Sequence, residues 1–216
     1  NIRKAISLAI PYSEIIEKVY NGNAVQWQGI VPHSVIGSIQ FNKIIQNLST
    51  AKELIASSSY RRFSSELIVD KDSIDCMQIA KIIQKSLSSI GITIQIINLD
   101  RKTFRSRQIS GDCQLAIDRD LYRCNELGYV LPHDFGDKKH GITNWNQYSS
   151  ETVNNLFKKA KETNDYKKRI AILKKSQKII FNDLPWIPIA LPTFNILHKK
   201  NISGFNWHPR LSGYPS

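Results

Sequence analysis

Residues 65–98 constrain the fold of this chain more than any other stretch. Ile74, Met77, Ile79, Ile82, Ile83 and Leu87 recur at close to 3.6 residues, Gly91 breaks the period, and Ile92, Ile94 and Ile96 then alternate in a β-branched run. Just upstream, residues 65–70 carry the apolar triplet Leu67-Ile68-Val69. Strand, amphipathic helix and strand in this order close as a parallel pair through a right-handed crossover, because a right-twisted strand feeding a right-handed helix packs back onto the sheet only that way. Parallel strands are buried on both faces. The expected class is therefore α/β, a small, mostly parallel or mixed sheet flanked by helices.

The rest of the chain supplies those helices. Ile2, Ala5, Ile6 and Ala9 share one face of a first helix, and Pro11 separates it from a second over residues 12–20, which Asn21-Gly22 ends. A helix is expected over 49–58 with Ser49 and Thr50 as caps, one over 100–109 ended by Gly111, and a third strand over 113–117. Residues 150–161 and 166–181 read as two more helices, and 187–191 and 194–198 as short strands. Residues 23–47 and 119–149 show no clean period. The second of these is long for a structureless loop in a compact domain, and such loops are usually functional.

At 216 residues the chain suits one large domain with a sizeable core. No run approaches the roughly 20 apolar residues needed to span a bilayer. Asn1 leads straight into helix with neither an initiator Met nor a signal peptide, the pattern expected of a piece of a longer polypeptide. The formal charge is +12, which raises nucleic acid or a membrane surface as partners. Against that, the lysines recur in pairs at helical spacing (Lys158-Lys159, Lys167-Lys168, Lys174-Lys175), as on solvated polar faces, with no interleaved aromatic platform.

Cys76, Cys113 and Cys124 are odd in number and have no close pair, which opposes a disulfide framework or a C-x-x-C metal site. Cys76 and Cys113 read as core residues, and the redox compartment stays open. His133, Asp134 and His140 fall close together, but their spacing matches no standard ligand pattern and Lys138 and Lys139 repel a cation. The chain has no G-x-S-x-G elbow, Walker loop or G-x-G-x-x-G. No catalytic constellation, cofactor or metal site is expected.

Several segments, in order, resemble one family. These are Ile2-Arg3-Lys4-Ala5-Ile6-Ser7-Leu8-Ala9-Ile10 with Tyr20-Asn21-Gly22, then Gly29-Ile30-Val31-Pro32, then Thr50-Ala51-Lys52-Glu53-Leu54-Ile55-Ala56. Phe104 through Gly111-Asp112 to Ala116, Tyr148-Ser149-Ser150, Trp186-Ile187-Pro188-Ile189 and Gly204-Phe205 follow. Together they are similar to the family 5 solute-binding proteins of bacterial ABC importers, the oligopeptide, dipeptide and nickel receptors. The resemblance implies a periplasmic-binding-protein-like (type II) lobe, the C-terminal of two, with residues 1–216 as one domain and the other lobe outside this chain. It further implies a peptide or similar small solute held between the lobes by hinge closure, an ABC permease partner, and a periplasmic or cell-surface lipoprotein location. An alternative is the sensing lobe of a cytosolic transcriptional regulator, which would reach nucleic acid only through a fused winged-helix domain.

The sequence departs from the family in one loop. Members usually carry W-G-A-D-Y-x-D-P after the strand at Leu115, the Trp lining the cleft and, in peptide binders, the Asp holding the ligand's α-amino group. Here Asp120 stands for the Trp and Arg123 for the Asp, in Asp120-Leu121-Tyr122-Arg123-Cys124-Asn125. A guanidinium cannot neutralise an ammonium and suits a carboxylate or phosphate instead. A shifted alignment would put Asp118 or Asp120 in the amine-holding role. Asp120, Tyr122, Arg123 and Asn125 are the candidate ligand residues of this loop, with the loop tryptophans Trp27 and Trp145 as candidates to stack on a ligand or to cap the core.

Overall fold

The computed structural model describes residues 1–58, 63–119, 124–137, 143–193, 195 and 197–204. In chain order these form α1 (Ile2–Ala9), α2 (Tyr12–Tyr20), β1 (Ala24–Gln26), α3 (Leu48–Ala56), β2 (Phe63–Asp70), α4 (Ile74–Ser88), β3 (Ile92–Leu99) and α5 (Arg101–Ser110). Then come β4 (Leu115–Ile117), α6 (Leu127–Phe135), α7 (Glu151–Glu162), α8 (Tyr166–Asp183) and β5 (Ala190–Pro192).

The crossover read from the sequence is present. β2 is central in a three-stranded sheet of order β3-β2-β4, parallel to both neighbours, with Leu67 opposite Ile96 and Leu115. Alternation along β2 divides its side chains between the two faces. Leu67 and Val69 join Cys76, Ile79, Ile83 and Leu87 of α4 and the apolar stripes of α1, α2 and α3 in one core. Ile68 points the other way, towards the side where α5 packs on β2 and β3 and buries Phe104 completely. A second core gathers Ile30, Val31 and Val35 with Leu127, Leu131 and Phe135 of α6, Val153 and Phe157 of α7, and Leu173 and Ile180 of α8. The antiparallel ribbon of β1 and β5 packs against α2, and Trp27 beside it reaches Trp186, which packs on the second core.

Buried Gln177 of α8 ties the long loop after β1 to the helices. Its side chain accepts from the Ile39 N–H and donates to the Gly37 carbonyl, both at 3.0 Å. Gly37 sits at φ +89°, and a Cβ there would lie 3.1 Å from Ile170 and Leu127, so only glycine fits this approach without strain.

Five local expectations need correction. The cap of α3 is Asn47, whose side chain accepts from Thr50 N–H at 2.9 Å, not Ser49 or Thr50. The strand expected over 113–117 starts at Leu115, leaving Cys113 half-buried outside it. The strand expected over 187–191 is displaced to Ala190–Pro192, and residues 195, 197 and 198 carry no strand, with 194 and 196 outside the described residues. Residues 23–47 hold β1, which pairs antiparallel with β5 near the other end of the chain, Ala24 opposite Pro192, where no local signal reaches. Residues 119–149 contain α6, a nine-residue helix that carries Gly128 and Pro132.

Candidate functional site

Parallel α/β sheets offer their carboxyl edge to ligands, because every strand ends there and the following loops and helix starts converge on it. In this chain that edge gathers charge. Asp70 closes β2, Asp118 follows β4, and Arg101 and Arg105 occupy the first two turns of α5, directly after β3. Asp100 caps α5 by accepting from the N–H groups of Lys102 and Thr103, each at 3.1 Å. The Thr103 hydroxyl adds a 2.7 Å bond, and these donors hold the Asp100 carboxyl below its ordinary pKa.

The cap aims α5 so that its arginines meet the two strand-end carboxylates. Arg101 Nη1 lies 3.0 Å from Asp70 Oδ2 and 3.6 Å from Asp118 Oδ1. Arg105 Nη1 donates to Asp118 Oδ2 at 2.6 Å and to Gln108 Oε1 at 2.8 Å. The Arg105 guanidinium also lies 3.6 Å from the centre of the Trp145 ring, a close cation–π contact. Arg105 and Asp118 are each 19% exposed, whereas Arg101 is 53% exposed, so the pair is anchored and Arg101 faces outward. Beside them Arg119 pairs with Asp75 at 3.0 Å at the start of α4. Burial first and then Asp75 push the nearby Tyr20 phenol up to about 12, and burial pushes the Cys76 thiol up to about 11. Both stay protonated at neutral pH.

The Trp145 turn is itself fixed. Asn144 donates to the carbonyls of Gly136 and Tyr148, each at 2.7 Å, and Gln147 donates to the Ile109 carbonyl at 3.3 Å. Trp145 is thus the candidate that the fold brings to the carboxyl edge. Trp27 instead packs on Trp186 at 6.1 Å, in an aromatic series continuing through Phe135 to Tyr148. Asn125 is half-buried just ahead of α6. No hydrogen bond, ion pair or ring contact among the described residues joins Trp27 or Asn125 to Trp145. Asp120, Tyr122 and Arg123 lie outside the described residues.

Arg101, Arg105 and Asp118 as one network were missed from sequence. Arg101 and Arg105 do stand one helical turn apart and flank the buried Phe104, which is the signal that was available. Among the described residues no group of three or more His, Cys, Asp or Glu is placed to hold a metal. His133 Nδ1 meets Asp134 Oδ1 at 3.0 Å and the Thr143 hydroxyl at 2.6 Å, which ties Thr143 to the end of α6.

A helix-flanked parallel sheet with its charged carboxyl edge is the architecture of a lobe of a type II periplasmic binding protein, and solved structures agree. DppA of Helicobacter pylori, described as an ABC transporter-associated periplasmic binding protein in complex with peptide STSA, matches at TM-score 0.79 and 27% identity over 88% of this chain and 38% of that one. HbpA2 of Haemophilus parasuis matches at TM-score 0.82 and 23% identity over 99% of this chain and 43% of that one. The glutathione-binding protein GsiB of Shigella dysenteriae serotype 1 is 24% identical over 213 residues, covering 94% of this chain. This chain spans 41% of the length of GsiB. Residues 1–139 match the model for the middle part of the bacterial extracellular solute-binding proteins, family 5. The chain belongs to that family.

Proposed function

We propose that this chain is the C-terminal ligand-binding lobe of a substrate-binding component of an ABC importer, with the other lobe outside residues 1–216. The complete protein takes a peptide or similar small solute between its lobes and delivers it to a membrane permease, without chemistry on the solute, in the periplasm or at the cell surface. Closure follows from differential contact: a ligand touching both lobes stabilises only the closed state. The observation that carries this reading is the carboxyl edge of the sheet, where α5, Asp118 and Trp145 make a fixed polar wall in a chain of family 5.

The loop at Asp120, Tyr122, Arg123 and Asn125 and the Trp145 ring supply this lobe's ligand contacts. Arg123 favours a ligand whose group at that position is anionic. The relatives named above are binding proteins, which supports the receptor reading over a transcriptional regulator. The test is small-angle scattering and calorimetry on the complete polypeptide with two probes, the tetrapeptide Ser-Thr-Ser-Ala and glutathione. A fall in radius of gyration with saturable heat for either probe is the expected result. No compaction with either, in a protein that remains folded, rejects hinge-closing reception of such solutes.

A further inference from the structure

A shallow, open groove of about 650 Å³ runs along the outer face of α5, lined by Arg101, Lys102, Arg105, Ser106, Ile109 and Ser110. Arg101, Lys102 and Arg105 bring three cations to its edge and Ser106 and Ser110 two hydroxyls, with no carboxylate among the described residues that line it. Asp70 and Asp118 pair with the arginines without lining the groove, and they fix where the guanidinium groups stand. Arg101 spends only Nη1 on those aspartates, so its Nε and Nη2 edge carries no hydrogen bond among the described residues. A half-exposed guanidinium oriented from behind, with one donor edge open, is pre-organised for a second oxyanion, because a fork already held in place loses little freedom on binding. Exposed Ile109, 65% accessible, gives the same groove an apolar contact two helical turns further on.

We propose that the α5 groove is an oxyanion subsite for the carboxylate end of an organic solute, Arg101 making the direct contact and Arg105 with Lys102 supplying the surrounding charge. The ligand class this points to is a carboxylate-rich small molecule or acidic peptide. As part of the ligand cleft, the assignment rests on the receptor reading given above.

The test is NMR of the arginine Nε–H and tryptophan indole signals in the complete polypeptide, titrated at constant ionic strength. The probes are succinate, its neutral dimethyl ester, inorganic phosphate and chloride. Succinate is expected to shift the Arg101 and Trp145 signals saturably, and the ester and chloride are not. Arg101→Met is expected to weaken succinate by about 10- to 100-fold, the usual worth of a charge-assisted hydrogen bond. Lys167→Met, on the exposed lysine row of α8, is expected to leave the titration unchanged and controls for general charge. Equal shifts with chloride, or an unchanged titration in Arg101→Met with its Trp145 signal in the native position, overturns the proposal. Phosphate binding as tightly as succinate overturns the carboxylate assignment. A protein that compacts on Ser-Thr-Ser-Ala but shows no succinate response at α5 rejects this inference alone. One that never compacts with any probe rejects the receptor reading and is recognised separately by scattering.

Discussion

Arg105 is held by groups from three places in the chain: Gln108 on its own helix, Asp118 after β4 and Trp145 in the turn before α7. Removing one side of such a pair leaves the other charge uncompensated, which costs about 3–5 kcal/mol when both are fully buried. Arg105 and Asp118 keep 19% of their exposure, so Asp118→Ala is expected to cost less, about 2–3 kcal/mol, read as a lower urea midpoint. Gln177 sets a similar case without charge. Gln177→Leu would strand the Ile39 N–H and the Gly37 carbonyl, and about 2–4 kcal/mol of stability is expected to be lost by the same measurement. Arg123→Ala belongs to binding instead. It is expected to weaken an anionic ligand of the complete protein by about 1–3 kcal/mol, and unchanged affinity by calorimetry would take Arg123 out of the site.

At the scale of elements, α5 depends on its cap. The Asp100 carboxyl has its pKa lowered from 3.8 by the Thr103 hydroxyl and backbone donors. Its folded value lies below its unfolded one, so its contribution is complete above the unfolded pKa and is lost as pH falls through the folded one. The urea midpoint is therefore expected to fall on acidification below about pH 4, and Asp100→Asn, which can still cap, is expected to flatten that part of the profile. An unchanged acid limb in the variant would remove Asp100 as its source. α6 teaches a different lesson. Gly128 and Pro132 are poor helix formers, yet Leu127, Val130, Leu131 and Phe135 return to one face and are buried against α7 and α8. Tertiary burial outweighs local propensity there.

At the scale of the whole molecule, two apolar cores share one chain with a formal charge of +12. The solvent face of α8 shows the excess plainly: Lys167, Lys168, Lys174, Lys175 and Lys178 are all exposed, and the helix has no acidic residue before Asp183. Self-repulsion of that kind is screened by salt, whereas the anchored pairs of the α5 network are screened less. Raising NaCl from about 20 to about 300 mM is expected to raise the melting temperature measured by calorimetry. A fall would mean that exposed ion pairs outweigh the repulsion.

Local sequence was enough for the crossover of β2, α4 and β3, for the helices α7 and α8, and, through the Asn21-Gly22 pair, for the stop at Asn21, which does adopt the left-handed conformation at φ 49°. Those features depend on neighbours in sequence, and the 3.6 and 2 repeats record them directly. The β1–β5 ribbon and α6 are different, since each gains its stability from partners that no local window contains. The same holds for the site. Trp145 was legible as a loop aromatic, but its stacking on Arg105, and the union of Asp70, Arg101 and Asp118, arise only where strand ends, a helix start and a distant turn converge. Charge pairing across such distances leaves no periodic trace, so the tertiary structure alone decides it.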